Sequence, residues 1–176
     1  MKPETRVKKL NEKMEKLHAE IAEAYKQLSG TPVQDYALTD RNGKKVRLSK
    51  LFGKHDKLAL VHNMGRQCPY CTMWADGFNS LYHYVERRAA FVVVSPDPPE
   101  IQKAFAEKRG WKFKMLSAHG TTLFKDLGFE FEGKPWPGLS TLYKGKDGGI
   151  MRHAFKYFGP GDGFCSVWSF YEMLPE

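Results

Sequence analysis

Cysteine is scarce: three occur in 176 residues, too few to staple a secreted scaffold and an odd number that cannot all pair within one chain. No run of eighteen apolar residues is present, which argues against a membrane-spanning helix. Met1 to Arg6 is charged, without an apolar core or small-residue cleavage site, so no secretory signal is expected and the cytoplasm is the expected compartment. A second Cys-x-x-Cys and a His-x-x-x-His are both missing, and His62, His83, His119 and His153 are scattered, so no zinc site is completed in sequence and no metal or other cofactor is expected. Low-complexity tracts and internal repeats are also missing, and the length suits one domain with a real core.

Charge is plentiful, with a formal net value of +8. Much of it lies in two short runs, Arg41 to Lys57 and Lys108 to Lys114, the second interleaved with Phe105, Trp111 and Phe113. Aromatics among basic residues can stack on bases. No recognition-helix, RNA-binding or zinc-finger signature accompanies them, and Trp111 and Phe113 alternate as strand residues do. A solvated basic surface, or one that attracts acidic partners, is therefore expected rather than a nucleic-acid site.

The richest feature is Cys68-Pro69-Tyr70-Cys71. Lys57 to Met64 before it reads as a buried strand; Thr72 to about Arg87 after it reads as a helix with an apolar stripe at Trp74, Phe78, Leu81 and Val85. A dithiol between a strand and a helix is the thioredoxin-like context. Free amides and the positive dipole end at the helix start favour a thiolate on Cys68, and Pro69 suits the first turn because it needs no amide partner. A Cys68 thiolate would attack a substrate disulfide, and Cys71, a turn deeper, would release the product. The bland alternatives are two buried thiols or half a zinc site. Around the pair, His62 is a candidate base for Cys71 or else a core histidine, and Arg66 a candidate partner of the thiolate or else an exposed arginine. Asp76 is expected to cap or to pair with a basic loop such as Arg66, and Cys165, beside Phe164, is expected to be a buried bystander.

Ahead of this, Val7, Leu10, Met14, Leu17, Ile21, Ala24 and Leu28 repeat at alternating steps of three and four, which predicts an amphipathic helix over residues 1–30. Its apolar side is expected either on its own domain or on a second subunit, a homodimer being the sharper reading. Asn42-Gly43 predicts a hairpin, Ala90 to Ser95 a central strand, Asp97 to Lys108 a helix, and Lys112 to Ser117 a third strand. After the break at Pro135 to Gly138 come a second hairpin about Lys146 to Gly149 and a last helix over 163–173. The order predicts an α/β, thioredoxin-like fold over 31–176, a central mixed sheet flanked by helices with an N-terminal helical extension.

Cys68 to Asn79, Phe91 to Ser95 and Arg109 to Phe113 resemble a bacterial thioredoxin-like family catalogued as a domain of unknown function, akin to the alkyl hydroperoxide reductase branch of the fold; the resemblance spans about residues 31 to 158. Cys-Pro-Tyr-Cys is also the tetrapeptide typical of glutaredoxins, and Cys68 and Cys71 match its nucleophilic and resolving cysteines, with Pro69 and Tyr70 between them. The glutaredoxin resemblance stops there, since neither a clear Thr-Val-Pro segment nor a glycine pair for glutathione follows. Where thioredoxins hold a buried Asp, six residues before the first cysteine, this chain has His62, and Gln67 stands in place of the preceding Trp. Peroxiredoxins place Pro and Thr at set distances before the peroxidatic cysteine, and neither stands at those offsets from Cys68, so a peroxidase of that type is disfavoured. The cis-proline that thioredoxins set opposite the dithiol has Pro137 as its candidate. The expectation is a thiol–disulfide oxidoreductase acting on protein or small-molecule disulfides with an external thiol reductant. Its alternative is a non-catalytic or redox-sensing interaction module of the same fold.

Overall fold

The computed structural model describes residues 1–175. The chain divides into two compact units, Met1–Gly30 and Thr31–Glu176. The first is the helix α1 (Pro3–Lys26), which starts at Pro3 because a first-turn residue needs no amide acceptor, and none of its residues is buried.

The second unit is built on a sheet with the strand order β1-β10-β9-β4-β5-β6-β2-β3. Its strands are β1 (Thr31–Val33), β2 (Ala37–Thr39), β3 (Lys45–Arg47), β4 (Lys57–His62), β5 (Ala90–Ser95), β6 (Lys114–Ser117), β9 (Gly138–Lys144) and β10 (Ile150–Tyr157), with β7 (Glu130–Phe131) and β8 (Lys134–Pro135) forming a separate ribbon. β4, β5 and β6 run parallel, with Leu60 beside Val92 and Val94 beside Leu116, while β9 lies antiparallel to β4 and β10 to β9. The crossovers are α2 (Pro69–Val85) and α3 (Pro99–Arg109), and the short helices α4 (Leu123–Asp126) and α5 (Val167–Met173) follow. This is the thioredoxin-like arrangement expected from the order of elements.

All six residues of β5 are buried, which explains its unbroken apolar run: it is covered on both faces. Val92 and Val94 point into a cluster with Leu38, Phe52, Leu60 and Phe129, whereas Phe91 and Val93 point into one with Val61, Trp74, Phe78 and Phe113. The second cluster also holds Cys71, so the helix carrying the dithiol is seated on that face.

Several details differ from the sequence reading. α2 begins at Pro69, three residues before Thr72, with Cys68 at the helix start as expected. Trp74 and Phe78 are buried, but Leu81 and Val85 are exposed and line an open apolar trough of about 750 Å³ beside Ala59, Val61 and Leu139. Trp111 and Phe113 do not alternate as strand residues. Both precede β6, both are buried in one cluster, and their rings stack at 5.6 Å, which removes them from any base-stacking surface. Gln102 and Ala106 are the buried residues of α3, and Ile101 and Phe105 are half-buried. Gln102 is held there by donating to Ser95 Oγ at 2.9 Å and the Leu116 carbonyl at 2.8 Å.

Candidate active site

The dithiol sits just beyond the C-terminal ends of the parallel strands β4 and β5, where open α/β sheets present their chemistry. Between β4 and α2 the chain must turn sharply. Gly65 does this at φ +98°, and a Cβ there would lie 2.7 Å from Asp97 Oδ1. Asp97 lies just past β5 and accepts the Arg66 amide at 2.8 Å. Asn63 supplies the second brace: its Oδ1 accepts the Gly65 amide at 2.8 Å and its Nδ2 donates to the Cys71 carbonyl at 3.3 Å. Asn63 and Asp97 escaped the sequence reading. The signal that could have found them is position, since both follow the ends of adjacent parallel strands.

Cys68 is the N-cap of α2, with extended dihedrals and a sulfur that accepts the Cys71 amide at 3.0 Å. Thr72 closes the first turn by donating from both its amide and its hydroxyl to the Cys68 carbonyl, each at 3.1 Å. Both thiols are free. Cys68 is half-buried and Cys71 is 2% exposed, its sulfur accepting the Met64 amide at 3.4 Å. A hydrogen bond from the Cys71 thiol is the main reason the Cys68 thiol falls from its ordinary value to about 7; partial burial opposes the shift, and the amides of Cys71 and Tyr70 add to it. Donating that hydrogen bond, together with burial, pushes the Cys71 thiol far up. The pair thus separates into one thiolate that forms near neutrality and one thiol that keeps its proton.

Tyr70 is exposed at the turn, its ring 5.7 Å from that of Trp168 on α5. Trp168 also meets Trp74, at 6.1 Å, and Phe158 lies 5.3 Å from Trp74, so aromatic rings from the C-terminal segment back the start of α2. Cys165 is buried in this cluster. Pro137 is brought near Cys71: with Asn63, Cys71, Trp74 and Phe158 it lines a narrow cavity of about 10 Å³. The expectation of a cis-proline is corrected, because no cis peptide bond occurs among the described residues.

His62 is corrected as a base for Cys71. Side chains alternate along a strand, so His62 shares the Leu58 and Leu60 face of β4, whereas Cys71 packs with Val61 on the other. Its ring stacks on Phe129 at 3.7 Å, and its Nε2 pairs with Ser140 Oγ at 3.0 Å. Burial, with a smaller contribution from Arg152, pushes the imidazole down to about 3, leaving it neutral and weakly basic. Arg66 is likewise reduced to a backbone role. It is exposed, its amide serves Asp97, and among the described residues its guanidinium makes no hydrogen bond or ion pair.

The expected pairing of Asp76 with Arg66 is also corrected. Asp76 takes a two-pronged contact from Arg109, through Nε at 3.2 Å and a terminal nitrogen, and the Trp111 indole donates to it at 2.8 Å. Asn79, one turn on, accepts the Lys112 amide at 2.7 Å and donates to the Gly110 carbonyl at 3.1 Å. Asp76 and Asn79 therefore tie the middle of α2 to the α3–β6 connection, which gives that sequence segment a structural purpose.

The AhpC/TSA family profile matches residues 29–155. This replaces the unknown-function family expected from Cys68 to Asn79 with one that has named members. Two chloroplastic peroxiredoxin Q proteins are similar. That of Sedum lineare is 31% identical over 69% of this chain and 66% of its own length, and that of Populus jackii 33% identical over 56% and 46%. The chain thus spans about half to two thirds of the length of these curated relatives. Among solved structures, the peroxidoxin BcpB of Mycobacterium tuberculosis superposes with a TM-score of 0.56 at 30% identity, covering 70% of this chain and 82% of that one.

Proposed function

The chain belongs to the AhpC/TSA family, and we propose that it acts there as a thiol–disulfide oxidoreductase with Cys68 as nucleophile and Cys71 as resolving thiol. The asymmetry of the pair carries this reading: the half-buried sulfur is the one lowered to about 7, and the buried sulfur is the one that retains a proton. The Cys68 thiolate attacks one sulfur of a substrate disulfide, forms a mixed disulfide and expels the other half as a thiolate, which takes a proton from water. Cys71 then attacks the Cys68 sulfur. The Cys68–Cys71 bond forms as the mixed disulfide breaks, and the proton leaving Cys71 is available to the second departing thiolate. Two electrons pass to the substrate, and an external thiol reductant restores the dithiol. A reducing compartment such as the cytoplasm supplies such thiols.

A hydroperoxide as substrate, disfavoured by the missing Pro and Thr before Cys68, is instead favoured by the peroxiredoxin name of the relatives. The same thiolate would attack the O–O bond, releasing an alcohol and leaving a sulfenic acid on Cys68. Attack by Cys71 would then yield the disulfide and water. Exposing Cys71→Ser protein to a model disulfide and, separately, to hydrogen peroxide distinguishes the two by mass spectrometry. A stable adduct on Cys68 through sulfur supports the first reading, and rapid gain of a single oxygen there supports the second. An inert Cys68 in both arms would reject the enzyme and leave a non-catalytic module.

A further inference from the structure

We propose that α1 is a pairing surface for a second copy of this chain, and that the two helices lie antiparallel, with Met14 of one over Leu17 of the other. This goes beyond the redox reading and does not depend on it. Val7, Leu10, Met14, Leu17 and Ile21 form one stripe, yet each is 46–58% exposed, and no residue of the helix is buried. An amphipathic helix draws most of its stability from packing its apolar face, and no residue of α1 is buried to offset the cost of ordering it. The stripe keeps steps of three and four, the spacing that packs one helix against another.

The charges beside the stripe choose the orientation. Antiparallel helices that set Met14 against Leu17 also set Leu10 against Ile21 and Val7 against Ala24, so every apolar layer in α1 is filled. In that register Lys13 of each copy faces Glu20 of the other, giving two opposite-charge pairs related by symmetry, while Asn11 faces His18 and Arg6 faces Gln27. No like charges oppose. A parallel pair would instead set Lys13 against His18 and Glu20 against Tyr25, with no ion pair at all. Flanking charges of this kind decide partner and orientation in helical pairs. Two such helices in contact over roughly 30 Å bury on the order of 1,200 Å², the lower end of specific interfaces, so a concentration-dependent dimer is expected.

Sedimentation velocity of the full chain at low salt, from submicromolar to high micromolar concentration, tests this. The unaltered chain should dimerise. Lys13→Glu alone and Glu20→Lys alone should each weaken the dimer roughly tenfold by setting like charges together twice. The double variant should recover to within about threefold of the original, since both pairs are restored with reversed sign. Circular dichroism of the singles checks that the rest of the chain stays folded. A monomer throughout the range, singles without effect, or a double variant that fails to recover would each overturn the proposal.

Discussion

The Cys71 amide reaches the Cys68 sulfur at 3.0 Å, so the helix start that carries the buried thiol also stabilises the charge on the half-buried one. The two cysteines are therefore unequal through the geometry of a single turn, and among the described residues no cationic side chain contributes to the lowering of Cys68.

Alkylation of the reduced protein should report this. Because the Cys68 value lies near 7, its thiolate fraction and its rate with iodoacetamide should rise through about pH 7 and level off above it. Cys71, pushed far up, should stay unlabelled in the native state across the same range. An inflection at the free-thiol value of about 8.5, or equal labelling of both, would contradict the assignment.

His62 offers a pH dependence of stability. Its folded value is held down at about 3, well below the unfolded imidazole near 6.5, so the unfolded chain binds the extra proton. The contribution is therefore fully present above pH 6.5 and is lost as the pH falls toward the folded value, at up to about 1.4 kcal/mol per pH unit. Urea unfolding between pH 7 and 4 should show this slope, and His62→Phe, which can keep a ring against Phe129, should flatten it.

Asp76→Ala should destabilise the fold by about 1–3 kcal/mol, chiefly because the indole of Trp111, a residue only 3% exposed, loses its acceptor. Asp76→Asn keeps an acceptor and should cost less. Chemical denaturation of the two variants separates the loss of charge from the loss of the hydrogen bond. Comparable losses in both would show that the Arg109 contact, not the Trp111 one, holds α2 to the α3–β6 connection.

Much of the dithiol region was legible because its signals are local. Two thiols between an apolar run and an amphipathic stretch imply a strand, a turn and a helix start, and an unbroken run such as Ala90 to Ser95 implies a strand covered on both faces. The faces themselves were not legible. Whether His62 points toward Cys71 depends on the parity of β4 against the seat of α2, and an offset of six residues does not encode it. Asp76 illustrates a second limit. Its acidic side chain suggested some basic partner, but only the packing of α3 beside α2 brings Arg109 and Trp111 to it in place of Arg66. Leu81 and Val85 fit the helical period and still lie exposed, because they border the open trough beside β4 and β9 and do not pack into the core.

The unequal thiols also govern the electrochemistry of the couple. Below about pH 7 reduction of the disulfide takes up two protons with two electrons, so the midpoint potential should fall by about 59 mV per pH unit. Above that value Cys68 remains a thiolate while Cys71 is still protonated, one proton accompanies two electrons, and the slope should halve to about 30 mV per unit. Stabilising the reduced form through its thiolate makes the couple more oxidising than an unperturbed dithiol at the same pH. The turn that lowers Cys68 thus favours accepting electrons from other thiols as much as it favours attack.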